Sequence, residues 1–231
     1  MKKKILGILS LGRTDYSYYK PLLQEIKRSS GLDYYLITVG MHLSPEFGQS
    51  YREISADGFT IHEKIECTLS SNTAEGSAKT TALMTMGLAS TLSKGILDML
   101  IVFGDRFETL GAVVAALPYD LPVAHIWGGD VTEGAFDEQT RHAITKLSHL
   151  HFPSNALSAR RILQMGEEPW RVCNVGSTAV DMMLSQKLYT KEALCARYGF
   201  DPKKRIFLVT YHPVTLEAAN TEYHITNLIQ A

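Results

Sequence analysis

The residues equipped to move protons and hold phosphate are concentrated between Phe103 and His151, in FGDRFETLGAVVAALPYDLPVAHIWGGDVTEGAFDEQTRHAITKLSHLH. Asp105, Asp130, Glu133, Asp137 and Glu138 supply carboxylates, and like charges held close together raise some carboxyl pKa values, which suits general acid–base work. Arg106 and Arg141 supply guanidiniums for phosphate, and His125 and His142 supply imidazoles for either task. Arg141 stands four residues after Asp137, so on a helix the two can also simply pair. His125, Asp130 and His142 are a conceivable nitrogen–oxygen metal set, but no HExxH spacing is present, and no metal is expected. Asp105 follows Gly104, a residue that lets a ligand approach the backbone closely; it can serve as a catalytic carboxylate or as the cap of the next helix.

These residues need elements that deliver them to one place. Apolar runs suited to strands are Lys4–Leu11, Tyr34–Val39, Thr60–Ile65, Met99–Phe103, Pro122–Trp127, His149–Pro153, Arg171–Val175 and Arg205–Tyr211. Helical segments alternate with most of them: 16–28, 73–94, 106–117, 137–147, 154–165, 190–198 and 217 onward. Near-continuous apolar strands such as LIVFG and IFLVTY are those of a parallel sheet covered on both faces. The alternation predicts an α/β, doubly wound, Rossmann-like parallel sheet. Ligands bind such sheets outside the carboxyl ends of the strands, where the residues named above collect.

Other candidates occupy the same edge. Arg13 lies in the first strand-to-helix loop, where a helix N-terminus favours an anion, and reads as a diphosphate contact. The spacing there is not GxGxxG, which gives a nicotinamide dinucleotide little support. His42 leaves the second strand on a glycine-flanked loop and reads as a substrate contact or proton relay. Strand alternation points His125 and Trp127 to one face and Ile126 to the other. Pro153–Ser154–Asn155 offers a helix N-cap and Gly166 a helix end. Pro21 is expected near the start of its helix. His149 and His151 read as structural histidines.

Composition narrows the class. Hydrophobic residues are 45% and charged residues 20%, ordinary for a globular protein. A net charge of −1 gives no global field toward nucleic acid or membrane. Cys67, Cys173 and Cys195 are widely spaced without a CxxC, as expected of thiols in a reducing cytoplasm. The apolar run Ile5–Leu11 is cut short by Arg13 and Asp15, so it reads as a strand rather than a leader.

Residues 1–184 are expected to form an N-terminal Rossmann-like domain, and 185–231 to open a C-terminal one. After Ser185 only about 47 residues remain, too few for another ~150-residue domain. A fragment or a reduced second lobe is therefore expected. His212, fixed by Pro213 at the end of RIFLVTYHP, would face the first domain across a cleft.

Taken together, GRTDY, VGMHLSPEFG followed by EISADGF, FGDRFE, HIWGGDVTEGAFDEQTRHAITKLSH, NVGSTAVD and TYHPVT resemble the hydrolysing UDP-N-acetylglucosamine 2-epimerases. The TEGAFDE form is similar to the branch acting on UDP-2,4-diacetamido-2,4,6-trideoxyhexose in legionaminic-acid synthesis. The resemblance implies two Rossmann-like lobes in a GT-B-like arrangement, with a UDP-sugar in the cleft and neither a metal nor a nicotinamide. It implies elimination of UDP to a 2-acetamidoglucal, followed by hydration to a free sugar inverted at carbon 2. Carried over by motif, Asp105 and Asp137 are the acid–base candidates and His212 a partner of the leaving group or sugar. Arg13, His42 and Arg106 would contact substrate, with His125, Trp127 and Glu133 beside them. Many relatives carry a carboxylate or histidine where Trp127 stands. A tryptophan cannot transfer a proton but can stack on a sugar, which shifts acid–base weight to Asp130 and Asp137. The resemblance also implies a homo-oligomer. A non-hydrolysing relative is disfavoured by HIWGGD in place of an HVEAG form, and a non-catalytic lobe is the remaining alternative.

Overall fold

A computed structural model describes residues 2–71, 73–185 and 187–231. Six parallel strands form one sheet: β1 (Lys4–Ser10), β2 (Leu32–Val39), β3 (Glu63–Ile65), β4 (Met99–Phe103), β5 (Val123–Ile126) and β6 (Leu150–Phe152). Their order is β3-β2-β1-β4-β5-β6, the doubly wound Rossmann order, with the chain reversing direction across the sheet between β1 and β4. The connecting helices are α1 (Arg13–Arg28), α2 (Tyr51–Ala56), α3 (Ala74–Leu92), α4 (Phe107–Ala116) and α5 (Asp137–Lys146). Beyond β6 come α6 (Ala156–Gln164), α7 (Thr178–Ser185), α8 (Lys191–Tyr198) and α9 (Thr221–Gln230). Among the described residues, no helix is long and apolar enough to cross a membrane.

Strand alternation gives the sheet two apolar faces. Leu9, Leu11, Val39, Leu100, Val102 and Val123 pack under α3, α4 and α5 through Met84, Leu88, Val113 and Ile144. Ile8, Leu36, Ile101 and Ala124 pack on the other face with Tyr16, Tyr19 and Leu23 of α1 and with Ile54 of α2. Asn155 caps α6 by accepting the Ser158 amide at 2.9 Å, and Gly166 follows that helix at φ +91°.

Several expectations need correcting. Helix α1 begins at Arg13, earlier than expected, so Pro21 lies inside it and withholds one helical hydrogen bond. The run Arg171–Val175 contributes only a bridge from Val172 to His151. The run Arg205–Tyr211 forms no strand and leaves Leu208 95% exposed. A strand gains its stability from flanking strands and a covered face, and no other strand lies beside this one. Gln186, in the stretch expected to join two domains, lies outside the described residues.

Trp127 departs from strand alternation. Strand β5 ends at Ile126, and Trp127 takes φ +65°. That turn carries its ring to the α1 face, against Tyr18 and Phe103, while His125 stays on the α5 face beside Thr145.

Candidate functional site

The carboxyl ends of β1, β4 and β5 meet where the sheet changes direction. Gly104, at φ +71°, ends β4 and presents Asp105 and Arg106. After β5, Gly128 and Gly129 make room for the turn into Asp130. A Cβ on Gly128 would stand 2.8 Å from His125 Nδ1, and one on Gly129 would strike the Ser158 carbonyl. Both positions therefore require glycine, which explains the paired glycines of the sequence.

Arg141 of α5 is the centre of this turn. Its buried guanidinium pairs with the Asp105 carboxylate, donates to the Asp130 carbonyl at 2.8 Å and donates to the Thr132 hydroxyl at 2.9 Å. The pairing with Asp137 read from sequence spacing is thus replaced by one with Asp105. Asp105 does not cap α4 either. Arg106 occupies the N-cap position, without a side-chain cap, and reaches the buried Glu108 carboxylate at 2.9 and 3.1 Å.

Asp137 is the first residue of α5. Burial raises its pKa, and the Asp105 charge raises it further, while Arg106 and Arg141 pull the other way. Burial works against the charge on Arg106, but Glu108, Asp15 and Asp137 hold its pKa above the ordinary value. The four groups Asp105, Asp137, Arg106 and Arg141 therefore form one electrostatic unit of two anions and two cations.

Asp130 is committed elsewhere. Its carboxylate accepts from the Ser158 hydroxyl, and from Asn155 Nδ2 at 3.3 Å, at the start of α6. Arg161 donates to the Gly129 carbonyl. These contacts position the loop. Glu133 is exposed in that loop.

The histidines are mostly interior. His125 is fully buried, with Nε2 2.7 Å from the Gly104 carbonyl and Nδ1 3.1 Å from the Thr145 hydroxyl, which places the ring proton on Nε2. Burial lowers its pKa to about 4. His42 is also fully buried, with Nε2 and Nδ1 each 2.8 Å from a serine hydroxyl, Ser10 and Ser50 respectively. Burial lowers it to about 4 as well. Neither ring faces the cleft, so direct substrate contact, as expected for both, is corrected to support of the strand ends. His142 lies 3.8 Å from Glu138. His125, Asp130 and His142 thus have separate partners, and the alternative metal set does not come together. His212 is exposed, and Val214 beside it packs on Gly134, which brings the 212–214 segment alongside the 130–136 loop.

Adjoining cavities run along this edge. One of about 400 Å³ is lined by Tyr18, Phe103, Asp105, Trp127, Asp130 and Arg141. Its wall is aromatic: Tyr18 stacks on Phe103 at 4.8 Å, and Trp127 lies 4.8 Å from Tyr18 and 5.2 Å from Phe103. A second, about 210 Å³, joins Asp105 and Arg106 to Gly12, Asp15 and Met41. Arg13 lines a third, of about 370 Å³, with Glu46, Phe47 and Ser50. The largest, about 590 Å³, lies over the start of α3, with Arg106 on its wall. We place the chemistry in the two smaller cavities, because the carboxylates line those.

A family model described as UDP-N-acetylglucosamine 2-epimerase matches residues 24–231. The chain belongs to this epimerase family. It is 35% identical, over 100% of its length and 60% of the relative's, to the hydrolysing GDP/UDP-N,N'-diacetylbacillosamine 2-epimerase of Campylobacter jejuni. It is 34% identical to the hydrolysing UDP-N,N'-diacetylbacillosamine 2-epimerase of Legionella pneumophila, again over 100% of this chain and 61% of that one. The crystal structure of a UDP-GlcNAc 2-epimerase from Neisseria meningitidis bound to UDP-GlcNAc superposes with TM-score 0.69 at 19% identity. That match covers 78% of this chain and 48% of the other, and it shows a shared fold. The chain thus spans about three-fifths of the length of these curated epimerases.

Within the epimerase fold, sequence reasoning missed Asp15, Tyr18 and Glu108 as site-forming residues. Asp15 had a usable signal, since an acidic residue three positions after a helix-capping residue reaches back to the cap amide. Tyr18 and Glu108 had none, because their roles come from neighbours distant in sequence.

Proposed function

We propose that this chain carries the first-lobe half of the active site of a hydrolysing 2-epimerase acting on a UDP-2-acetamido sugar. The observation that supports this best is the unit of Asp105, Asp137, Arg106 and Arg141 where β4 and β5 end. In this reading a carboxylate takes the proton from carbon 2 of the sugar. The bond from carbon 1 to the diphosphate oxygen breaks in an anti elimination, UDP leaves with the electron pair, and a 2-acetamidoglucal forms. Water then adds across the double bond, hydroxyl to carbon 1 and a proton to carbon 2 from the opposite face. The free 2-epimerised sugar departs.

Asp105, charge-compensated by Arg141, is suited to act as base. Asp137, with its raised pKa, is suited to carry the proton to be delivered. Arg106 faces the developing diphosphate charge, with His212 as its partner from the 212–214 segment. Trp127, braced by Tyr18 and Phe103, offers a ring face to the sugar rather than a proton. The names of the Campylobacter and Legionella relatives favour a 2,4-diacetamido-6-deoxy substrate, and the family name favours UDP-N-acetylglucosamine. The product would be the corresponding 2,4-diacetamido sugar or N-acetylmannosamine, for legionaminic- or sialic-type acid synthesis in the cytoplasm.

A second reading, a lobe inactive without a completing partner sheet, is favoured by the absence of a strand over residues 205–211. Proton NMR in deuterated water with both UDP-sugars separates the two. Free UDP together with a sugar deuterated at carbon 2 supports the epimerase. UDP-linked epimer points to the non-hydrolysing reaction, and no turnover points to the incomplete lobe.

A further inference from the structure

The turn between β1 and α1 is where a parallel sheet of this strand order ordinarily receives a phosphate, on a helix N-terminus with glycine and unpaired amides. Here the chain's own anion occupies it. Asp15 turns back so that its two carboxylate oxygens accept the backbone N–H of Leu11 at 2.6 Å and of Gly12 at 2.8 Å. The Ser10 hydroxyl also bonds the carboxylate. That hydroxyl lies 2.8 Å from His42 Nε2, and His42 Nδ1 lies 2.8 Å from the Ser50 hydroxyl. Asp15, Ser10, His42 and Ser50 are all buried. Met41 closes the turn from the loop side, since a Cβ on Gly12 would stand 3.0 Å from its methyl carbon. The turn opens on the cavity of about 210 Å³ that Asp105 and Arg106 also line.

We infer that Asp15 is a positioning residue: it fills the phosphate cradle of the first strand-to-helix turn with an internal carboxylate and, through Ser10 and His42, fixes the 40–50 loop as a wall of the site. A second anion at this turn would find the amides of Leu11 and Gly12 already used. It would also meet the Asp15 charge at close range in a desolvated setting, where repulsion is strong. The diphosphate of a nucleotide sugar therefore lies away from this turn, towards Arg106. That last clause rests on the epimerase reading, while the filled cradle does not.

The test is an NMR titration of the isotope-labelled full chain with inorganic phosphate and with pyrophosphate, following the amides of Leu11, Gly12 and Thr14. In the wild type these amides stay unmoved. In Asp15→Gly and Asp15→Ser the emptied cradle takes phosphate, the same amides shift, and affinity rises about tenfold or more. Asp15→Glu, which returns a carboxylate at the capping position, abolishes that gain. Phosphate-dependent shifts at Leu11 and Gly12 in the wild type would overturn the inference. So would folded Asp15→Gly and Asp15→Ser chains that bind no better than wild type. The wild-type titration decides even if the small variants do not fold. No turnover is read, so this result and the epimerase assay can fail independently.

Discussion

His42 and His125 are held neutral inside the protein, each at about 4 against an ordinary value of 6.5. Such groups contribute stability that is present above pH 6.5 and lost as pH falls through 4. Asp15 works in the opposite sense. Burial raises its carboxyl from 3.8 to about 6, so its contribution is complete below 3.8 and lost as pH rises through 6. At about 1.4 kcal/mol per pKa unit, each is on the order of 3 kcal/mol, and two histidines outweigh one aspartate. The protein should therefore lose stability on acidification from pH 7 to 5. His42→Gln should melt lower than wild type at pH 7 yet lose less on reaching pH 5, and equal losses in thermal melts would refute the assignment. At the rim, Asp137→Asn should reduce kcat by about 10²- to 10⁴-fold, the usual scale for a lost proton carrier. Its urea midpoint should stay near the wild-type value. Asp105→Asn should cost activity and, in addition, about 1–3 kcal/mol of stability, because it leaves the buried Arg141 guanidinium without its counter-charge. An Asp137→Asn enzyme with unchanged kcat would remove that residue from the mechanism.

At the scale of elements, the site depends on two strand ends that stop abruptly. Gly129 needs φ +81° and has the Ser158 carbonyl where a Cβ would go. Gly129→Ala should destabilise by about 2–4 kcal/mol and detach the loop from α6, read as a lower denaturant midpoint. A variant as stable as wild type would mean that the turn is softer than its geometry states. The 205–211 segment lacks the flanking strands that would hold it. Its neighbours Gly199 and Val214 should bracket the first cuts in limited proteolysis, with the sheet of β1 to β6 surviving. Cleavage inside α3 or α5 before this segment would contradict that order of stability. The sequence marked the 205–211 run as a strand because its composition is that of one. Composition reports the capacity to join a sheet, while a neighbouring strand decides whether the capacity is used.

For the molecule as a whole, apolar side chains concentrate at the surface after α7: Leu184, Leu188, Phe207, Leu208 and Ile229 are all exposed. An apolar surface of this kind favours self-association. We expect light scattering at high concentration to show species larger than a monomer, and a monodisperse monomer would count against it. Hydrophobic alternation in runs such as MLIVF and VAHI sufficed, by itself, to determine a parallel sheet with its polar residues at the carboxyl edge, because periodicity and burial are local consequences of composition. It also determined that glycines would flank Asp105 and Asp130. The partners were decided only by tertiary structure. Arg141 sits four residues from Asp137 in sequence yet pairs with Asp105, thirty-six residues away. His42 and His125 had the look of ligands but are buried beside serines and a threonine. Trp127 leaves its expected face through one positive φ. Each of these outcomes depends on which strands become neighbours and on what space remains between them, and that information is distributed over the whole chain.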